Sequence, residues 1–245
     1  MAAFLKQKGD MYRWVDFTWN PVQGKCQHGC AYCYIKRIAQ RFRGDDDFGK
    51  PHLYDTPLNI RQNGAGKMIF VCSSCDLFAS NIPESWIAWV IRQANKYPEN
   101  TWLWHTKNPQ RAVNLPHLDN RFPDYPKNSI LCTTIETNSW FDCMGKAPHP
   151  DHRFKGLEEW EGRKMVTIEP IMKFSISPFV ERLRWVHPEQ VNIGADSGNN
   201  GLPEPDAWEL GVLIHKLSRF TKVHLKKNLR RILPEHDLYE EGEEK

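Results

Sequence analysis

KCQHGCAYCY, residues 25–34, places Cys26, Cys30 and Cys33 within eight positions. Three thiols this close serve a metal, a disulfide or redox chemistry. The chain has seven cysteines, an odd number. Its opening stretch MAAFLKQKGDMYRW lacks the apolar run of a secretory signal. No apolar stretch approaches the ~18 residues that span a bilayer. The expected location is therefore the cytoplasm, with no membrane partner, where disulfides are the least expected use of cysteine. Closed zinc sites take four ligands. A fourth here would be His28 or something distant. Three thiolates on a [4Fe–4S] cluster leave one iron without a protein ligand and open to a small molecule. The spacing alone leaves both readings open.

Outward from the thiols, short apolar or β-branched runs recur with room for helices between them. They are KMIFVC (67–72), TWLWHT (101–106), SILCTTIE (129–136), KMVTIE (164–169), QVNIGA (190–195) and, more weakly, TKVHLK (221–226). PESWIAWVIRQANKY begins with Pro83 and Glu84, which suit a first turn, and sets Trp86, Ile87, Val90 and Ile91 on one face. SPFVERLRWV and EPDAWELGVLIHKLSRF read likewise. Alternation of this kind predicts an α/β fold with parallel strands and right-handed crossovers. The expectation is a partial (β/α)6-type, TIM-like barrel with the cysteine loop after its first strand. It forms one domain over 1–232, followed by an acidic tail, 233–245. Three polar stretches, 44–67, 114–128 and 145–164, read as loops or loops with short helices, the first two being candidates to close over a site.

Polar groups track the strand ends. They are Ser73, Ser74 and Asp76; His105 and Lys107; Thr134 and Glu136; Glu169; Asp196 with Ser197; and Lys226 with Asn228. In a β/α barrel these ends converge on the rim where active sites are built. Some of these groups would also serve simply as helix caps. Pro170 disfavours helix at Glu169 and places it at a strand exit.

The motif CQHGCAYC, with aromatic Tyr32 before the last Cys, resembles the signature of the radical S-adenosylmethionine (SAM) superfamily. DFTWNPVQGKC, CSSCDLF, WHTKNP, TIEPIM and GADSG further resemble blocks of a phage and bacterial radical-SAM family of unassigned function, and distantly spore photoproduct lyase. That resemblance runs from about Asp16 to Leu229. It implies that Cys26, Cys30 and Cys33 hold a [4Fe–4S] cluster whose open iron chelates SAM, with Tyr32 against the adenine. By the same analogy the Ser73, Ser74 and Asp76 segment receives the methionine amino end, and Glu136 suits the ribose or the methionine end. Lys107, Glu169, Asp196 and Lys226 remain for substrate or the SAM carboxylate. The family pattern has Met at Cys75 and Glu at Asp196, so the roles of those two positions stay open. Cys75 reads as core, as a rim hydrogen-atom or proton donor, or with Cys72 as half of a second metal site completed by Cys132 or Cys143. Of ten Trp, Trp86, Trp89, Trp102, Trp185 and Trp208 fit core positions, whereas Trp19 and Trp104 lie nearer the expected rim.

Net charge is only +3. Lys36, Arg37, Arg41 and Arg43 nevertheless form a basic run after the thiols, and Lys222, Lys226, Lys227, Arg230 and Arg231 a second, each of which reads as a solvated helix face or as a nucleic-acid contact. The resemblance and these runs lead to an expected radical SAM enzyme on a nucleic-acid base or nucleotide, in bacterial or phage-infected host cytoplasm. Its expected partner is a flavodoxin- or ferredoxin-like one-electron reductant. The alternatives are a radical SAM enzyme on a small metabolite or peptide, and a non-enzymatic iron–sulfur or zinc module that binds nucleic acid.

Overall fold

The computed structural model describes residues 5–6, 12–43, 49–58, 65–118, 120, 122–234 and 236. Its main sheet contains β1 (Leu5–Lys6), β2 (Phe17–Trp19), β5 (Met68–Val71), β6 (Thr101–Thr106), β7 (Ser129–Thr134), β8 (Arg163–Ile168), β9 (Gln190–Ile193) and β10 (Lys222–Leu225), in that spatial order. All neighbours pair in parallel except β1, which runs antiparallel to β2. A small hairpin of β3 (Val22–Gln23) and β4 (His52–Leu53) stands beside it.

Side-chain alternation divides each strand between two cores. Ile69, Val71, Trp102, Trp104, Leu131, Val166, Ile168, Val191 and Ile193 belong to the outer core, which continues into the helices. Phe70, Leu103, Ile130, Cys132 and Met165 face inward with Tyr12 and Val15. Both faces are covered, so β7 and β9 are buried at every position, as a parallel sheet requires. The sheet curls. Tyr12, just before β2, places its hydroxyl 3.0 Å from Thr167 Oγ1 on β8 and its ring 6.2 Å from His224 on β10. Among the described residues no ladder joins β10 to β1 or β2. The result is an open, TIM-like partial barrel of seven parallel strands.

Helices α1 (Tyr34–Arg43), α2 (Glu84–Ala94), α3 (Pro109–Leu118), α4 (Pro150–Glu158), α5 (Ile176–Val186) and α6 (Ala207–Leu217) occupy the crossovers. The α6 start is fixed by a capping box between Asp206 and Glu209. Two expected loops are partly helical. In 145–164, Pro150 does not break α4 but opens it at a position where its missing N–H costs nothing, and His149 Nδ1 accepts from Asp151 N at 3.2 Å. In 114–128, α3 continues through Pro116. The stretch 44–67 contributes β4, while 44–48 and 59–64 lie outside the described residues, as does the acidic tail from 237. Among the described residues no helix is long and apolar enough to cross a membrane.

The tryptophans also test the sequence reading. Trp19 and Trp104, nearer the expected rim but read mainly as core packing, are indeed fully buried in the outer core, and Trp104 Nε1 donates to Ser129 Oγ at 2.9 Å. Trp185 and Trp208, expected in the core, are 74% and 69% exposed on α5 and α6. Trp102→Ala is expected to cost about 3–5 kcal/mol in chemical unfolding, as for large aromatic truncation in a packed core. Trp185→Ala is expected to stay within about 0.5 kcal/mol. Similar losses at the two positions would contradict this division of the core.

Candidate active site

The loop carrying the thiols runs from the β3 hairpin into α1. Its backbone is clamped from two sides. Lys25 and Gln27 bond Asn81, through Asn81 Nδ2 to Lys25 O and Gln27 N to Asn81 Oδ1, both at 3.1 Å. A short 3-10 turn at Asp142–Met144 supplies the other clamp, with Ala31 N donating to Cys143 O at 2.8 Å and Lys146 N to His28 O at 2.6 Å. Gly145 has φ +65°, and a side chain there would overlap the His28 carbonyl, so only glycine permits this contact.

Two buried polar anchors fasten the loop to the strand ends. His28 Nε2 meets Asp76 Oδ2 at 2.8 Å. Asp76 also accepts from Thr106 Oγ1 (2.7 Å), Lys107 N (2.8 Å) and Phe78 N (3.0 Å). Burial raises the Asp76 pKa, but His28 and these donors reverse that and hold it at about 2. The second anchor is Glu136, which is wholly buried beyond β7. Its carboxylate takes the Tyr32 hydroxyl, Lys107 Nζ and, at 2.6 Å, Arg153 Nη1. Lys107 Nζ also lies 3.0 Å from Tyr32 Oη and 4.5 Å from its ring centre. Burial opposes ionisation of Glu136, yet Arg153 and Lys107 depress its pKa to about 2. Arg153, itself fully buried, further bonds the Thr134 carbonyl at 3.0 Å and that of Pro148 at 2.5 Å.

The three thiols line one cavity of about 850 Å³, near the upper end of the range for small-molecule sites. Ser73, Ser74, Cys75, Asp76, Lys107, Glu169 and Asp196 line it too, so the structure brings most of the sequence-derived candidates together. They differ in what remains available. Asn20 Oδ1 holds Ser73 Oγ at 3.2 Å and Ser74 N at 3.1 Å, while the buried Ser74 hydroxyl has no partner among the described residues. Asp196 caps its own turn, accepting from Gly198 N at 2.9 Å and from Asn200 N and Nδ2 at 2.6 Å. Glu136 is outside the cavity wall, and its oxygens are committed to the anchor. Burial pushes the Cys72 thiol up to about 12 and Cys75 well above its ordinary value, so both are neutral thiols near pH 7. Cys75 Sγ faces the Asp76 carbonyl at 3.9 Å.

Lys226 reaches Glu169 at 2.8 Å. His105, bonded to Thr134 Oγ1 at 2.8 Å, has its pKa lowered to about 4, chiefly by burial, with Lys107 and Lys226 acting in the same direction. It is therefore neutral near pH 7. The wall further includes Lys36, Arg37 and Arg41 of α1 together with Lys227 and Arg230, so the two basic runs meet around one cavity. Arg37 donates to Ser197 O at 3.0 Å and to its Oγ at 3.2 Å, tying α1 to the loop after β9. Sequence reasoning missed Arg153, Tyr12 and Asn20. Arg153 lies in a charged stretch read as a loop. Tyr12 precedes every recognised motif. Asn20 sits in DFTWNPVQGKC without a feature of its own.

The donor set suits a four-iron cluster. Among the described residues no three His, Cys, Asp or Glu side chains are arranged around a single ion. A cube instead takes one thiolate on each of three irons. Burial first, then Asp76, Cys33 and Cys30, raise the Cys26 thiol to about 11, so the three sulfurs lie within mutual electrostatic reach. Bound metal would favour their thiolates. The orphaned Ser74 hydroxyl leaves one polar position in the same wall for a ligand.

Glu136→Gln is expected to destabilise the protein by about 3–5 kcal/mol at pH 7, since it strands Arg153 in the interior. Because its folded pKa is depressed from 4.5 to about 2, the Glu136 contribution is complete above about pH 4.5 and fades as pH falls towards 2. The stability gap between wild type and variant should narrow over that window in urea titrations. A constant gap would mean that the carboxylate is not ionised in the fold.

Comparison with solved structures returns spore photoproduct lyase repeatedly. A cysteine-to-alanine variant with dinucleoside spore photoproduct superposes with TM-score 0.61 at 10% identity, over 90% of this chain and 79% of that one. Spore photoproduct lyase complexed with dinucleoside spore photoproduct gives TM-score 0.60 at 10% identity, over 90% and 80%. A double variant with bound AdoMet and dinucleoside spore photoproduct gives 0.50 at 10% identity, over 87% and 64%. At such identity the likeness establishes the fold. No curated protein matches the sequence. The profile of the family described as protein of unknown function (DUF5131) matches residues 10–216, and the chain belongs to that family.

Proposed function

We propose that this protein is a radical SAM enzyme acting on a nucleic-acid base or nucleotide. The observation that carries the reading is the opening of Cys26, Cys30 and Cys33 into one large cavity that also holds an unpartnered serine hydroxyl and a basic wall. A four-iron cluster held by Cys26, Cys30 and Cys33 would supply one-electron reductive cleavage of SAM and, from it, 5′-deoxyadenosyl radical chemistry. The protein's own residues do the rest. Cys26, Cys30 and Cys33 bind the cluster. Ser74, whose hydroxyl lacks a partner among the described residues, would accept from the SAM amino group. The His28–Asp76 and Tyr32–Glu136 anchors keep the thiol loop against the strand ends. Thus Tyr32, whose hydroxyl is tied to Glu136, acts in positioning the loop as well as in walling the cavity.

The basic wall favours an anionic substrate. Lys36, Arg37 and Arg41 from α1 and Lys227 and Arg230 from beyond β10 surround the same space, and such groups bind phosphate whatever the base attached. The fold shared with an enzyme whose structures hold a dinucleoside photoproduct supports the same class. A base stacked in a duplex is out of reach, so the substrate would be a nucleotide, a single strand or a flipped base. The electron would come from a flavodoxin- or ferredoxin-like reductant.

Anaerobically reconstituted protein should be brown, bind about four irons per chain, and release 5′-deoxyadenosine from SAM with dithionite. Cys26→Ala, Cys30→Ala and Cys33→Ala should each abolish that release, while Cys75→Ala should retain both iron and release. A colourless protein with stoichiometric zinc would refute the reading. So would loss of the cluster in Cys75→Ala, because a fourth thiolate would leave no open iron.

A further inference from the structure

Glu169 and Lys226 meet inside the cavity from the ends of β8 and β10, two places apart in the sheet. Both carboxylate oxygens stand 2.8 Å from the ammonium nitrogen. The pair is not sealed, since the Glu169 and Lys226 side chains keep 21% and 18% exposure. Glu169 occupies this place because residue 194 is glycine: a Cβ there would come within 2.8–2.9 Å of Glu169 Cγ, Cδ and Oε1. Lys226 Nζ also sits 4.9 Å from the ring centre of Tyr12. Three flat groups, Tyr12, Phe70 and His105, line the same space, with Phe70 and His105 at 5.4 Å between ring centres.

An aromatic wall takes a flat ring. A carboxylate beside an ammonium offers an acceptor next to a donor, whose complement is a ring N–H next to a carbonyl. We infer that Glu169 and Lys226 read the lactam edge of a nucleobase, Glu169 accepting from the ring N–H and Lys226 donating to the adjacent carbonyl oxygen. The inference rests on the nucleic-acid reading above and narrows it. Thymine, uracil and guanine carry this edge. Guanine adds an amino group for the second carboxylate oxygen. In the same orientation, cytosine and adenine turn a ring nitrogen lone pair towards the carboxylate and an amino group towards the ammonium, so both contacts become repulsive; they fit the pair only with the base turned over. Discrimination of this kind is steep, because a mismatched ligand leaves enclosed charged groups without partners. A free amino-acid zwitterion also complements an ion pair but brings no ring for the aromatic wall.

The test is calorimetric binding to the full anaerobic protein with its cluster and SAM but no reductant. The ligands are thymidine, guanosine, cytidine and adenosine deoxymonophosphates and the matching single-stranded tetranucleotides. The thymine and guanine forms should bind about tenfold or more tightly than the cytosine and adenine forms. Methylation at thymine N3 should remove that advantage in the wild-type protein. Glu169→Gln and Lys226→Met, with unchanged circular dichroism, should bring the base ratio close to one. Equal binding of all four bases, indifference to N3 methylation, no binding of any nucleotide, or displacement of bound thymidine monophosphate by L-methionine would each overturn the inference. Release of 5′-deoxyadenosine, measured separately, distinguishes the two readings. Base selectivity without SAM cleavage would leave lactam recognition standing and remove the proposed reaction; SAM cleavage without selectivity would do the reverse.

Discussion

A carboxylate with no access to water governs the arrangement of this protein. Glu136 emerges from β7 into a space closed by Tyr32 of the thiol loop, Lys107 beyond β6 and Arg153 of α4. A buried charge is tolerated only when it is paired and hydrogen-bonded. Satisfying Glu136 therefore requires three separate segments to arrive together. The network contains one anion and two cations, leaving a surplus positive charge beside the thiols. Lys107 is held protonated despite its burial, with Cys30 and Glu136 both favouring the charged form. The same bonds that fix the loop thus oppose the repulsion among sulfurs that must become anionic to bind metal.

The cavity is divided by chemistry. Part of its wall is made by the thiols, the Asn20-held serine turn and Asp76 of the first anchor, with Glu136 of the second anchor behind the wall. Another part is made by Glu169, Lys226 and the aromatic groups, suited to a flat polar ring. Lys36, Arg37, Arg41, Lys227 and Arg230 add a basic region to the wall. Each subset comes from several strand ends, as expected where a parallel barrel opens at its C-terminal rim. Apparently redundant carboxylates separate by environment. Asp76 and Glu136 are structural anions with saturated oxygens, Asp196 shapes a turn, and Glu169 retains exposure beside the Lys226 ammonium.

Much of this was legible along the chain. The short, near-continuous apolar and β-branched runs marked β5 to β10 because a parallel sheet covered on both faces imposes that composition locally. The strand-end polar residues were identifiable because the strand-helix alternation implies where strands finish. The thiol spacing was legible because its ligands lie within eight residues. Short helices within 114–128 and 145–164 were admitted but could not be placed, since prolines that open or interrupt a loop and those that open a helix carry the same local signal. Trp185 and Trp208 misled for a related reason: helical spacing identifies a face but not which neighbour, if any, covers it.

The sequence by itself determined the parallel α/β architecture, the three-thiol loop and the set of polar groups at the strand ends, all of which follow from periodicity and short-range spacing. Only the tertiary structure decided which of those groups are used up and which remain available. Arg153 neutralises Glu136 across 17 residues, His28 takes Asp76 across 48, and Lys226 finds Glu169 across 57. The partner that fixes a buried charge is chosen by strand order and curl, which bring together residues that no local pattern connects.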